Sequence, residues 1–504
     1  MSDGRKKLIA RSAKLFNKAA AAFYSFPVEE KGFVPEDPAL IRTYNNQRPF
    51  GPAPRLCYAP FSNMFFNTEG RAIVCCKNTK VVLGQVPQQS IHEMWFGEKT
   101  ALLREYLLHH DLTHGCYKCR EALHSGNFGS ITAAGFDFVR AWPESEYPRL
   151  MEFELSNTCN LECAMCSGRV SSSIRKNREH KEPLKMAYDQ GFVDQLDEFI
   201  PHLKQARFYG GEPFLIEIYY DIWARMIAAN PAINLYVLTN GTVLNDRIKD
   251  LLSRGNFTLN VSMDSFQKPT YEAIRQHAVF EETLEHMHYF REWMKRKKKK
   301  LTLFITPTRL NWQEIPEMLT QCDHWEIEVY FSTAYFPENL ALWTLPPEQM
   351  DEILKNFRGH NLREGTNKTR LDELIRDLEY WAAAQRSDPG FKRKFEMDLQ
   401  QQEVIHEENK EVINTSDATV YKEIFLTKLN GSGLISKEEL LIVVEKVDSI
   451  IALAEVESAL VYFFLQQISP GIFLEQMRKM KEPEIVEFFK RKQEELSATH
   501  HLIR

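Results

Sequence analysis

No apolar run in this chain approaches the ~18 residues that a membrane span needs. The first residues lack the uninterrupted apolar core of a secretory signal. Internal repeats and low-complexity tracts are missing, which excludes solenoid and fibrous architectures. No excess of one charge dominates: 63 basic against 69 acidic residues give a net charge of -6, which argues against a wholly basic nucleic-acid binder. Cysteine is scarce and odd in number, 9 in 504 residues, so a secreted disulfide framework is not expected.

What cysteine there is lies unevenly. Eight of the nine fall between residues 57 and 166, in three tight groups: Cys57, Cys75 and Cys76; Cys116 and Cys119; Cys159, Cys163 and Cys166. Cys322 stands apart and reads as a small buried apolar residue. Clustered thiols without a secretion signal point to a reducing cytoplasmic setting and to metal or iron–sulfur ligation.

The chain divides by pattern. Residues 1–54 hold a basic amphipathic stretch, RKKLIARSAKLFNKAAAAFYSF, and a proline-bearing linker. Residues 55–148 form a small α+β module with the runs MFFN and RAIVCC around Gly70, read as a hairpin, and a helix near 90–110. From 149 to 340 six apolar strands alternate with helical segments: 149–155, 205–209, 233–238, 257–263, 301–306 and 326–331. That alternation predicts an α/β fold, an open or partial (β/α)6 barrel, with functional groups at the C-terminal ends of its strands. Charged helices with a polar connector are expected over 341–415, and a C-terminal helical domain over 416–504. The run KRKKKK at 295–300 reads as a solvated loop, and KLNGSGLISKEEL at 428–440 as a turn with a capping box rather than a calcium loop.

Two constellations carry chemistry. The loop after the first of the six strands contains Cys159-x3-Cys163-x2-Cys166. Three thiolates on one loop can hold three irons of a cubane cluster and leave the fourth open to a small ligand. The second set is Cys57, twelve residues, Gly70, four residues, Cys75, and later Cys116-x2-Cys119. Four thiolates can hold either a fully ligated iron–sulfur cluster or a structural zinc ion; spacing does not decide between them, and Cys76 competes with Cys75.

The three-cysteine loop resembles that of the radical S-adenosylmethionine (SAM) superfamily, with Met165 where members often carry an aromatic. The resemblance implies a [4Fe–4S] cluster on Cys159, Cys163 and Cys166 that binds SAM and, once reduced, cleaves it to a 5′-deoxyadenosyl radical. It assigns cofactor contacts to Met165, to Gly210, Gly211, Glu212 and Pro213 of a GGEP motif, and to Asn240, Ser262, Asp264 and Arg275. Glu212 is expected at the SAM ammonium and Arg275 at its carboxylate. The N-terminal cysteines resemble a SPASM/twitch module, which implies an auxiliary [4Fe–4S] cluster on Cys57, Cys75, Cys116 and Cys119. Together these imply an oxidative enzyme served by a cytosolic electron donor such as flavodoxin or ferredoxin. A ribosomally made peptide or protein is the favoured substrate, a small aminocyclitol or sugar-like molecule the alternative, and a non-catalytic iron–sulfur or zinc scaffold the reading from another class. Neither a nucleic-acid partner nor a membrane span is expected.

Overall fold

The computed structural model describes residues 33–48 and 50–388, with scattered positions beyond. The expectations for the basic stretch at 5–26 and for the calcium-like loop and helical domain beyond 416 fall almost wholly outside the described residues. The few described positions there, such as Leu429 and Val447, are helical.

The described residues 33–388 belong to one compact unit. Its centre is a nine-stranded sheet in the order β3-β2-β1-β4-β5-β6-β7-β8-β9. Six parallel strands run in chain order: β4 (Leu150–Phe153), β5 (Gln205–Phe208), β6 (Asn234–Thr239), β7 (Phe257–Ser262), β8 (Thr302–Ile305) and β9 (Glu328–Phe331). They are the six expected strands, and the fold is α/β with the sheet of a partial barrel.

The hairpin of the cysteine module is also present, β1 (Asn63–Phe66) antiparallel to β2 (Arg71–Ile73), with β3 (Gly84–Gln85) beyond. Gly70 turns it at φ +79, a left-handed conformation open to glycine, and a Cβ there would come within 2.9 Å of the Val86 carbonyl. This hairpin is not a separate layer. β1 pairs parallel with β4 over Asn63↔Leu150 to Phe66↔Phe153, so the sheet runs unbroken through residue 149.

The outer face of the sheet carries the core. Phe66, Phe153 and Phe208 occupy adjacent positions in three neighbouring strands, with ring centroids 5.8 and 5.1 Å apart. Phe192, Tyr219 and Trp223 cover that row, edge-on to its rings. Each such buried aromatic is worth about 1.5–3 kcal/mol.

Turns divide the helical segments, among them the one expected near 90–110. The segment 90–110 is two helices, Ile91–Trp95 and Glu98–Leu108, because the chain turns at Gly97. There a Cβ would lie 2.3 Å from the Glu93 carbonyl. The segment 270–295 splits into Lys268–Ile274 and Phe280–Arg296, with His277 at φ +74 between them. Residues Pro347–Gly359 and Thr366–Ser387 form two helices that bury Ile353, Phe357, Leu378 and Trp381.

The lysine run is not uniformly solvated. Lys299 Nζ donates to Asn234 Oδ1 (3.1 Å), Asn256 Oδ1 (2.8 Å), the Phe257 carbonyl (2.8 Å) and Thr258 Oγ1 (3.0 Å), tying together the starts of β6 and β7.

Candidate functional site

The first site forms where β4 ends. β4 is buried on both faces, and the chain leaves it into the loop that bears Cys159, Cys163 and Cys166. The backbone of that loop is held from three sides. Cys159 N–H donates to Ser172 Oγ (3.1 Å), and Ser173 Oγ donates to the Cys159 carbonyl (2.8 Å). Ala164 N–H donates to the Ile274 carbonyl (2.8 Å) and Glu162 N–H to that of Gln276 (3.1 Å). Gly211 N–H donates to the Ser156 carbonyl (3.1 Å) and Glu212 N–H to that of Thr158 (2.7 Å).

The GGEP segment therefore serves the cysteine loop directly. A Cβ on Gly210 would stand 2.5 Å from the Ser156 carbonyl oxygen, and one on Gly211 2.2 Å from that of Thr158. The close approach that demands glycine here is to the cysteine loop itself. Pro213 is buried and opens a short 3₁₀ turn.

Glu212 lies buried within the motif. Its side chain is fully buried, and its oxygens accept from Phe214 N–H (3.1 Å), Thr239 Oγ1 (2.7 Å) and Asn240 N–H (2.7 Å). Burial nonetheless pushes its pKa up to about 7 against those donors. Through those donors this carboxylate ties the chain after β5 to the end of β6.

Arg275 and Asp264 also meet each other. Arg275 Nε donates to Asp264 Oδ2 (2.6 Å), and Asp264 Oδ1 accepts from Thr306 N–H (2.7 Å). Arg275 Nη1 lies 3.7 Å from Cys163 Sγ. Asn240 Nδ2 donates to Asn160 Oδ1 (3.0 Å) and lies 3.9 Å from Cys159 Sγ. The structure thus brings Asn240 and Arg275 to the thiols and gives Asp264 no direct contact with them. Met165 is half-buried beside the thiols, and Ser262 closes β7 half-buried. The Cys163 thiol is held below its ordinary value by its hydrogen bond with Cys166 and, against the opposing effect of burial, by the guanidinium of Arg275. Three free thiols in one clamped loop, with an arginine beside them, suit a cluster that leaves one iron open.

The second site is a cavity in the cysteine module. Cys57, Cys75, Cys116 and Cys119 all line it, together with Ala59, Asn78 and Phe136. Ala59 N–H donates to Cys57 Sγ (3.4 Å) and Asn78 Nδ2 to Cys116 Sγ (3.4 Å). Cys76 is exposed and is not part of that lining, whereas Cys75 is buried in it. Burial and mutual repulsion push the thiols up, Cys116 to about 12, so a bound metal must displace their protons. Among the described residues, no three His, Cys, Asp or Glu side chains gather closely enough to hold a single ion. Four thiols lining one cavity suit a metal centre held wholly by thiolates.

One face of the sheet carries a polar group that the sequence patterns did not single out. By register, Phe65, Glu152, Arg207 and Tyr236 share that face. Glu152 accepts from Asn63 Nδ2 (2.6 Å) and from the Tyr209 hydroxyl (3.1 Å), and lies 3.5 Å from Arg207 Nη1. Arg207 also sits over the Tyr236 ring, 5.6 Å from its centroid. The available signal was Glu152 and Arg207, one charged residue in each of two neighbouring strands otherwise rich in apolar residues.

Comparison with known proteins agrees with this anatomy. Residues 153–322 match the radical SAM superfamily, and residues 57–120 match an iron–sulfur cluster-binding (SPASM) domain. GTP 3′,8-cyclase of Helicobacter pylori is 30% identical over 137 residues, 26% of this chain and 39% of that enzyme. The Synechocystis enzyme of the same name is 28% identical over 186 residues, 36% of this chain and 53% of its own length. The chain thus spans about two fifths to half of these curated relatives. Among solved structures, anSMEcpe with bound AdoMet has 18% identity and a TM-score of 0.32, covering 42% of this chain and 59% of its own. Streptococcus suis SuiB bound to its precursor peptide SuiA has 15% identity and a TM-score of 0.31, covering 51% and 56%. No helix among the described residues is long and apolar enough to cross a membrane.

Proposed function

We propose that this chain, in which a SPASM-type iron–sulfur segment precedes a radical SAM segment, oxidatively modifies a peptide or protein substrate. The carrying observation is the single sheet. β4 delivers the cysteine loop, and its neighbour β1 belongs to the hairpin that places Cys75. Both thiol sets are thereby held on one frame.

The cluster and SAM supply, when bound, a carbon radical that removes one hydrogen atom from the substrate. This chain's residues would do the rest. Cys159, Cys163 and Cys166 would hold the SAM-binding cluster, with Asn240 and Arg275 beside those thiols. Cys57, Cys75, Cys116 and Cys119 would hold the auxiliary cluster, which would offer a place for the second electron, while the substrate's proton would leave to solvent. Loss of one hydrogen atom, one electron and one proton is a net two-electron oxidation that removes two hydrogens. Arg207, Glu152, Tyr209 and Tyr236 offer donors and acceptors suited to amide and carboxylate groups.

A nucleotide-sized small molecule is the second reading, favoured by the likeness to GTP 3′,8-cyclases over the central segment. The test is anaerobic reconstitution with iron and sulfide counted per chain, then SAM cleavage under dithionite. About eight irons and formation of 5′-deoxyadenosine are expected. About four irons with one zinc would remove the auxiliary electron site. No 5′-deoxyadenosine from cluster-loaded protein would reduce the chain to a scaffold. Candidate peptides and nucleotides are then compared by mass for a product lighter by one hydrogen pair, and a nucleotide product would overturn the peptide assignment.

A further inference from the structure

We infer that the buried Arg275–Asp264 pair tunes the reduction potential of the cluster held by Cys159, Cys163 and Cys166: Arg275 raises it and Asp264 limits the rise. This rests on the functional reading above.

Arg275 is nearly buried and Asp264 wholly so. The guanidinium is shared between the Asp264 carboxylate at 2.6 Å and the Cys163 sulfur at 3.7 Å. Its position is not left to the side chain alone. The carbonyls on either side of it, Ile274 and Gln276, accept from Ala164 and Glu162 N–H on the cysteine loop. Asp264 is fixed in turn by Thr306 N–H. A cationic donor at a ligating sulfur favours the more negative, reduced cluster, and low exposure keeps water from screening it. The Asp264 carboxylate lies behind the guanidinium and offsets its field. Reduction draws one electron from an external low-potential donor, so the pair acts on that equilibrium and on no bond of SAM. Arg275 is a positioning residue in this role.

The opposed charges give opposed shifts. The full chain is reconstituted anaerobically, the cluster's paramagnetic signal is identified by its response to SAM, and its potential is then titrated without SAM. Arg275→Gln should shift the reduction equilibrium about tenfold toward the oxidised form, which is 59 mV for one electron. Asp264→Asn should shift it toward the reduced form. Arg275→Lys, which keeps the charge, should fall between wild type and Arg275→Gln. Should Arg275→Gln fail to hold iron, the Lys and Asn variants still carry the opposed prediction. An unchanged potential with weakened SAM binding in the Arg275 variants would overturn the inference and assign the arginine to the SAM carboxylate. Shifts of one sign in all variants would also overturn it, as general disruption of the loop. If the wild-type cluster does not respond to SAM at all, the functional reading fails before this one is reached.

Discussion

Cys75 and Cys76 are adjacent in sequence, yet only Cys75 is buried among the other thiols of the second cavity. Spacing could not separate them, because one residue along a chain leaving β2 reverses the side chain's direction. Cys75→Ser is expected to lower iron from about eight to about four per chain, and Cys76→Ser to leave about eight; iron and sulfide assays of both variants check it. Glu212 gives a pH prediction. Its folded pKa is raised from 4.5 to about 7 by burial. Between those values the folded chain binds more protons than the unfolded one, so stability falls as pH rises through the window and is flat above it. The full loss is on the order of 3 kcal/mol. Glu212→Gln does not titrate, so its unfolding midpoint should lack that fall when both proteins are denatured anaerobically at pH 5 and pH 7.5. Equal slopes in the two would place the dependence elsewhere. The cysteines and glycines of this site were legible because ligand spacing and close backbone approach leave local marks. The inward turn of Glu212 and the Asp264–Arg275 pair were not, since each depends on a strand end distant in sequence.

The six parallel strands announced themselves as apolar runs, since a sheet covered by helices needs buried side chains in succession. Helix boundaries were less legible. The break at Gly97 follows from a carbonyl in the preceding helix, and that at 275–279 from the need to turn Arg275 inward. Lys299 shows the same limit: in a run of basic residues nothing local distinguishes the one that bonds four oxygens at the base of β6 and β7. Lys299→Met removes the shared donor while keeping most of the stem. It is expected to cost about 1–3 kcal/mol, because Asn234, Asn256 and Thr258 lose a partner in a half-buried place. Lys298→Met, at the neighbouring position, is the control and should change stability by no more than about 0.5 kcal/mol. Denaturant midpoints of the two variants decide it, and equal small effects would return Lys299 to the solvated loop.

At the scale of the whole molecule, the boundary near residue 149 is a change of sequence pattern and not a gap in the structure. Pairing of β1 with β4 joins segments far apart in the chain, and no local pattern reports such a contact. Its consequence is mechanical. A chain starting at residue 149 would leave β4 as an unpaired edge carrying Leu150 and Phe153, and Phe153 would lose the stacked Phe66 ring at 5.8 Å. The Phe66 side chain alone accounts for about 1.5–3 kcal/mol, and β1 adds its ladder bonds and buried Met64. Set against a total stability of about 5–15 kcal/mol, that loss is enough to remove cooperative folding. The expected result is that the chain from residue 149 is insoluble or unfolds without a sharp transition. Residues 33–388, the described part of one compact unit, serve as the control against residues 149–388 and should unfold cooperatively. Circular dichroism melts and iron loading of both chains test this: a truncated protein that melts sharply and holds about four irons would show the cysteine module to be an appendage. A broad or absent transition would show that the two thiol sets share one folded frame, as the proposed electron transfer between them requires.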